Sequence, residues 1–391
     1  MTTRQRNASP MAATESQEDI RGMLDRLTLA RKEGFRRLVE APARTQPEPL
    51  TRVQLKALGD EALAQYNRDR RRHHANLGPL DTPQMMALHE DMWDIINSND
   101  QIEGDKVKGA MGIDAFPGLG KTTAVLALAR KFHSQEIQEN GAFTRNGDER
   151  WPICRVGLAS NAGTRDFNRA ILEFYGHPGR FKGTAADFGI RALDCVLSGE
   201  TKLLIIDDVH FLRLRHKNGK ENKTGVDVSN HFKWIASEFP ITLIMVGVGL
   251  HAMGLFDEGD SYEDADPAQM GRRTTPLALE PFMINTDEGR TNWRNTLLAI
   301  EKKIVLADKY RGMVADDLSD YLFARSTGHI GSLMTLINRG CQRAVRTGAE
   351  KLDVELLDKV KNDAASEKAR KELELAFRTG KITTRLSKSP K

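Results

Sequence analysis

Lys121 and Thr122 stand near the end of the run Ala115-Phe116-Pro117-Gly118-Leu119-Gly120-Lys121-Thr122-Thr123, and an apolar stretch with helical character, AVLALARKFH, follows at once. Glycines let backbone N–H groups close around an anion, and a helix N-terminus adds favourable partial charge. A lysine placed directly after the last glycine can reach the β- and γ-phosphates of a nucleotide, and the next hydroxyl can ligate Mg²⁺. The spacing therefore predicts that Phe116, Pro117, Gly118, Leu119, Gly120, Lys121, Thr122 and Thr123 bind ATP, with Thr122 on the metal. The usual pattern has glycine where this chain has Ala115, a position alanine can fill at negative φ. A chance glycine turn before a helix would look the same.

A second element weighs against chance. Leu203-Leu204-Ile205-Ile206-Asp207-Asp208 is an aliphatic strand that ends in two carboxylates. The expectation is that it lies beside the strand leading into the glycine turn. Asp207 would then hold Mg²⁺ through water opposite Thr122, and Asp208 would polarise the attacking water. The bland alternative is a buried strand with a solvated acidic end.

These residues need a scaffold, and the chain has one. Continuous apolar runs at 109–115, 152–159, 202–207, 241–248 and 276–279 alternate with amphipathic stretches, which predicts an α/β domain with five parallel strands and helices on both faces. After residue 282 only helical patterns remain, at 291–309, 314–325 and 329–347, which predicts a smaller α-helical lid. Ahead of the sheet, residues 1–15 are small and polar, and helical stretches follow from Ser16, from Leu55 to Tyr66 and from Asp81-Thr82-Pro83. The expected organisation is a polar tail and helical extension over 1–79, the ATPase domain over 80–285, the lid over 286–365, and a basic tail over 366–391.

Composition narrows the class. The chain has 391 residues, 39% hydrophobic and 29% charged, with a formal net charge of +4. Cys154, Cys195 and Cys341 lie far apart and form no CxxC pair, which argues against a disulfide framework or a zinc site. The N-terminus has no apolar segment of the secretory kind, and the stretch 241–256 is interrupted by glycines and too short to span a bilayer. A cytoplasmic protein without membrane partners is the expectation.

Four segments resemble AAA+ ATPases of the TniB/TnsC type, the ATP-dependent target-selection subunits of DDE transposition systems. They are PGLGKTT; Arg155-Val156-Gly157-Leu158 with Gly163-Thr164-Arg165, Ile171-Leu172 and Tyr175-Gly176-His177-Pro178; Ile206-Asp207-Asp208-Val209-His210; and Gly328-His329-Ile330-Gly331-Ser332-Leu333 with Ala344-Val345 and Thr347-Gly348. The resemblance covers roughly residues 80–355. It implies an ATPase that assembles as a ring or filament on target DNA and recruits a transposase or integrase. It also implies an arginine finger at Arg273, in Gln269-Met270-Gly271-Arg272-Arg273, acting on a neighbouring subunit's γ-phosphate. Asp208 stands where that family has glutamate, Val246-Gly247-Val248-Gly249 lacks a polar sensor, and the lid's arginine position falls on Gly331. Slow hydrolysis is the expectation.

DNA contacts are expected from two places. Arg213, Arg215, Lys217, Lys220 and Lys223 lie in a loop with a single acid, Glu221, directly after the acidic strand. Such a loop can touch phosphates of duplex DNA without reading sequence. Thr164 and Arg165 are placed at a similar level by the resemblance. The run Arg68–Arg72 and the C-terminal basic stretch are less specific, and surface charge is usually only solvated. Two further functions fit the same motifs: a helicase loader or replication initiator, and a nucleotide-gated signalling module that binds no DNA.

Overall fold

The structure is a computed structural model that describes residues 28–102, 107–159, 162–211, 231–232, 234–253 and 272–386. The helix expected from Ser16, the basic loop with Arg213, Arg215, Lys217, Lys220 and Lys223, and Gln269-Met270-Gly271 lie outside the described residues. The chain divides into two compact units. One takes Met1–Pro42, Asp91–Asp114 and Val125–Leu277, and the other Ala43–Glu90, Ala115–Ala124 and Ala278–Lys391.

The first unit is built on a five-stranded sheet: β1 (Ala110–Asp114), β2 (Ile153–Gly157), β3 (Leu203–Asp207), β4 (Thr242–Gly247) and β5 (Thr274–Ala278), in the spatial order β2-β3-β4-β1-β5. β1 with β4, β4 with β3, and β3 with β2 pair in parallel. Every residue of β3 and β4 is buried, as expected for strands covered on both faces. All five apolar runs form strands, but β4 inserts between β1 and β3, so the acidic strand is not the immediate neighbour of β1. Helix α1 (Lys32–Val39) belongs to this unit. Its Phe35 is fully buried against the rings of His133 and Phe174, and Lys32 and Arg36 both pair with Glu149.

Helices α2 (Arg52–Ala57) and α3 (Asp60–His74) belong to the second unit, and α4 (Pro83–Asp100) begins in it. The helical stretch expected across 55–66 is thus broken at Leu58-Gly59, where Thr51 and Gln54 form a capping box for a separate short helix. Helix α5 (Lys121–Asn140) follows the glycine turn, and α6 (Thr164–Tyr175) and α7 (Ala185–Ser198) cover the sheet unit.

The lid comprises α8 (Asp287–Lys303), α9 (Ser319–Ser326), α10 (Ile330–Thr347), α11 (Val354–Asp358) and α12 (Ala364–Arg378). Trp293, Leu297, Leu322, Leu333, Leu336 and Ile337 centre its core. Arg70 of α3, which looks in sequence like one member of a basic run, is 2% exposed and grips Glu350 with two hydrogen bonds of 2.6 and 2.7 Å. A buried bidentate pair of this kind ties the N-terminal helices to the lid, because stripping either partner would leave an uncompensated charge. The stretch expected only as a basic tail is helical up to Arg378, and Thr384 beyond it is buried on Ser319 and Asp320.

Candidate nucleotide site

The glycine turn has the backbone that an anion cradle needs. Gly118 and Gly120 take φ of +82° and +86°, a region open to glycine at no steric cost. Their N–H groups meet no acceptor among the described residues, which leaves them for a ligand. Ala115 is buried and outside the positive-φ region, so the missing first glycine costs nothing here. The Lys121 ammonium folds over the turn, donating to the carbonyls of Ala115 (2.7 Å) and Phe116 (3.0 Å). Thr122 and Thr123 are exposed at the first turn of α5, and so are Phe116 and Pro117 before it. Donors, dipole and cation therefore converge on one small surface of the second unit.

The lid is fastened to this turn. The N–H of Gly331, in the first turn of α10, donates to the carbonyl of Gly118 at 2.8 Å. A β-carbon at position 331 would sit 2.7 Å from that same oxygen, so only glycine allows the approach. This gives a physical reason why an arginine cannot stand there. His329 and Ser332 flank the contact, each about 3.9 Å from where a side chain on Gly118 would begin. Thr327 donates its hydroxyl to Ser326 and so accepts from His329 Nδ1 (2.9 Å), which fixes that proton on the inner nitrogen.

Beside the turn, and wholly within the second unit, is a cavity of about 310 Å³. Its apolar walls include Leu77, Leu80, Met85, Phe282, Ile330 and Met334, and Gly120 and Thr123 form part of its rim. Two polar atoms in the lining are buried without partners: Nδ1 of His74 and Oε1 of Gln84. Val305 N–H donates to His74 Nε2 at 2.9 Å, so Nδ1 carries the hydrogen and is a donor. Burial, reinforced by His73, Arg70 and Lys309, pushes the His74 imidazole down to about 3, so it stays neutral and keeps this tautomer. The residues of this lining thus carry one unspent donor and one unspent acceptor, both shielded from solvent. Motif reasoning missed His74 and Gln84, because no short pattern marks them.

In the first unit, Asp207 ends β3 and is 4% exposed. Arg155 of β2 donates to its carboxylate at 2.7 Å. The residue directly across from Asp207 is Gly157, and this bare position leaves room for the arginine head, 3.6 Å from where a β-carbon would be. Asp208 is exposed and adopts φ +60°. Aspartate is among the side chains that adopt this left-handed conformation most readily, although Glu200 and Glu350 also adopt it in this chain. His210, later in the motif, lies tilted at 46° against the Phe211 ring, and its Nδ1 is buried without a partner. In the stretch that lacks a polar sensor, Gly249 N–H donates to the carboxylate of Asp114 at 2.7 Å. Among the described residues no cluster of three or more acidic, histidine or cysteine side chains could hold a metal ion alone.

The other expected residues also lie in the first unit. Arg273 directly precedes β5 and is half-buried, its carbonyl accepting from Ala110 N–H at 2.8 Å. Thr164 begins α6. Arg165 is engaged within its own unit, donating to Gly183 O and lying over the Phe188 ring at 5.4 Å.

The family model of the AAA domain matches residues 105–253. The matched stretch holds β1 to β4, the glycine turn and both aspartates, but not the cavity walls from 74–85, 279–282 and 328–338. No curated protein matches the sequence. Among solved structures the chain is similar to the Orc1 protein of Aeropyrum pernix in complex with DNA, at 14% identity and a TM-score of 0.49, covering 77% of this chain and 68% of that one. It is similar to Cdc6p from Pyrobaculum aerophilum (14%, 0.49, 69% and 64%) and to Drosophila ORC bound to GC-rich DNA and Cdc6 (11%, 0.41, 78% and 45%). The chain thus spans about two thirds of the first two proteins and less than half of the Drosophila chain. Among the described residues no helix is long and apolar enough to cross a membrane.

Proposed function

We propose that this chain is an AAA+ ATPase that binds ATP at residues 116–123 and uses the bound nucleotide as an assembly switch. The observation that carries the reading is the pairing of a glycine cradle and lysine with an adjoining base-sized cavity, both fastened to the lid through Gly331. Lys121 and the N–H groups of Gly118 and Gly120 take the phosphates. Thr122 and Asp207 are the proposed holders of Mg²⁺, which would neutralise charge on the transferring phosphoryl group. Asp208 is the proposed water-orienting carboxylate. Arg273 is the proposed finger in the oligomer.

The cavity supports adenine as the base. Adenine offers a ring-nitrogen acceptor beside an exocyclic amine donor, which would complement the His74 donor and the Gln84 acceptor once a bound base uncovers these two shielded atoms. Guanine offers the reverse order and would leave buried polar groups unpaired, a mismatch worth about 1–3 kcal/mol per group. Calorimetric titration tests this: ATP should bind, with GTP at least ~10-fold weaker. Equal affinity for the two, or no binding of either, would contradict the assignment.

Downstream, the proposed action is ATP-dependent assembly on duplex DNA. The four sequence segments support transposition target selection with a DDE transposase as partner. A replication-initiator or helicase-loader role is the alternative, since the same glycine turn and acidic strand serve it equally well. Which partner co-purifies with the ATP-bound oligomer, a transposase or a replicative helicase, separates the two.

A further inference from the structure

The second unit carries another cavity, of about 410 Å³, that shares no residue with the nucleotide cavity. Its charged lining is Arg71, Arg339, Arg343, Arg346, Lys359 and Lys361, with Gln342 and Val360 between them and no carboxylate. Three separate pieces of chain bring these cations together: the end of α3, one face of α10, and the segment after α11. The α10 face is regular. Arg339, Arg343 and Arg346 recur at four and three residues, opposite the buried Ile337, Cys341 and Ala344.

A purely structural role explains only part of this. Arg339 donates to Lys361 O (2.8 Å), Arg343 donates to Lys359 O (2.9 Å), and Gln342 donates to Arg71 O (2.8 Å), so the three pieces are held in register. Each such arginine bond uses one of the five N–H donors of a guanidinium. Arg346 and Lys361 donate to no described group at all, and the ion pairs among the described residues leave Arg71, Arg339, Arg343, Arg346 and Lys361 without a carboxylate. Only Lys359 has one, Glu355 at 2.9 Å. Neighbouring Asp358 is committed to Arg370. Collecting six like charges costs self-repulsion, which a bound polyanion would offset.

We propose that this lid face binds the phosphate backbone of nucleic acid without reading its sequence. Four of the six cations are arginines, whose planar forks match phosphate oxygens. The three on α10 lie within eight residues, about 10 Å along the helix, which is about three 3.4 Å steps of one DNA strand. A lining with a single apolar residue offers no pocket for side chains of a peptide. The contact is independent of the ATPase reading and of the loop at 213–223.

The test uses the full chain without nucleotide and a fluorescent duplex, with binding followed by anisotropy between about 50 and 200 mM salt. Arg339→Ala/Arg343→Ala/Arg346→Ala should lower the salt slope by up to about 2.7, at ~0.9 for each phosphate no longer neutralised. Arg346→Glu/Lys361→Glu removes no hydrogen bond of the fold and should weaken binding at least ~10-fold at the lower salt. Arg339→Lys/Arg343→Lys/Arg346→Lys should retain most of the affinity. Because no nucleotide is present, a failure of the nucleotide assignment leaves this result readable. Unchanged affinity and slope in the Arg346→Glu/Lys361→Glu protein would overturn the proposal. So would poly-glutamate competing as well as DNA, or loss of all binding on neutralising Arg215, Lys217 and Lys220 while the lid variants bind normally.

Discussion

At Asp208 a backbone conformation and a side-chain length meet. The left-handed φ of +60° favours aspartate, and aspartate is one methylene shorter than the glutamate of the resembling family. A carboxylate displaced by about 1.5 Å from its water can lose ~10²-fold in rate. Wild-type turnover is therefore expected well below the ~1–100 s⁻¹ of kinases that transfer the same group. Asp208→Asn keeps the shape and the tolerance for positive φ. It should abolish phosphate release while ATP affinity stays within about 2-fold of wild type, because the carboxylate acts only in the transition state. A phosphate-release assay beside a binding titration checks this. Asp208→Asn hydrolysing ATP at the wild-type rate would remove Asp208 from the chemistry.

Among the elements, the junction of α10 with the glycine turn is the most consequential. Because a β-carbon at 331 would meet Gly118 O at 2.7 Å, Gly331→Ala must push the helix off the turn or distort it. The variant should fold, since the lid core rests on Trp293, Leu333 and Leu336 and not on this junction. Its ATP affinity should fall ~10-fold or more, the equivalent of one hydrogen bond plus strain. Wild-type affinity in Gly331→Ala would show that the junction is incidental to the nucleotide. The strands and the turn were legible in sequence, because a buried parallel strand leaves a continuous apolar run and a phosphate turn leaves its glycines and lysine. The insertion of β4 between β1 and β3 was not, since strand order leaves no trace in the pattern of any one strand. His74 and Gln84 were equally hidden. Their use depends on Val305 fixing a tautomer from 231 residues away and on walls contributed by Phe282 and Ile330. Arg70 looked like surface charge for the same reason, its partner Glu350 being 280 residues distant.

For the whole molecule, three histidines held neutral by the fold make stability depend on pH. Burial lowers His74 to about 3, burial with Arg36 lowers His133 to about 4, and burial lowers His231 to about 4. The unfolded chain takes up these protons near the ordinary value of about 6.5, so the stabilisation is complete above that pH and is lost as pH falls toward about 4. His74 contributes up to ~1.4 kcal/mol per pH unit in that window, and the two less deeply buried rings contribute less. Thermal melts should drop steadily between pH 7 and pH 5, by several degrees per unit given that ~1 kcal/mol moves a domain of this size by about 2–4 °C. A melting temperature that is flat or rises over that range would mean the histidines are not held neutral.

Everything proposed for this molecule starts from phosphates seated in the glycine turn, and Lys121→Ala tests that seating most directly. The ammonium donates to two loop carbonyls, at 2.7 and 3.0 Å, and is not part of either core, so its removal should leave the melting curve near that of wild type. In a calorimetric titration the variant should lose measurable ATP binding, a drop of ~10²-fold or more for a desolvated charge-assisted interaction with the phosphates. Tight ATP binding by a folded Lys121→Ala protein would place the phosphates elsewhere and contradict the central claim.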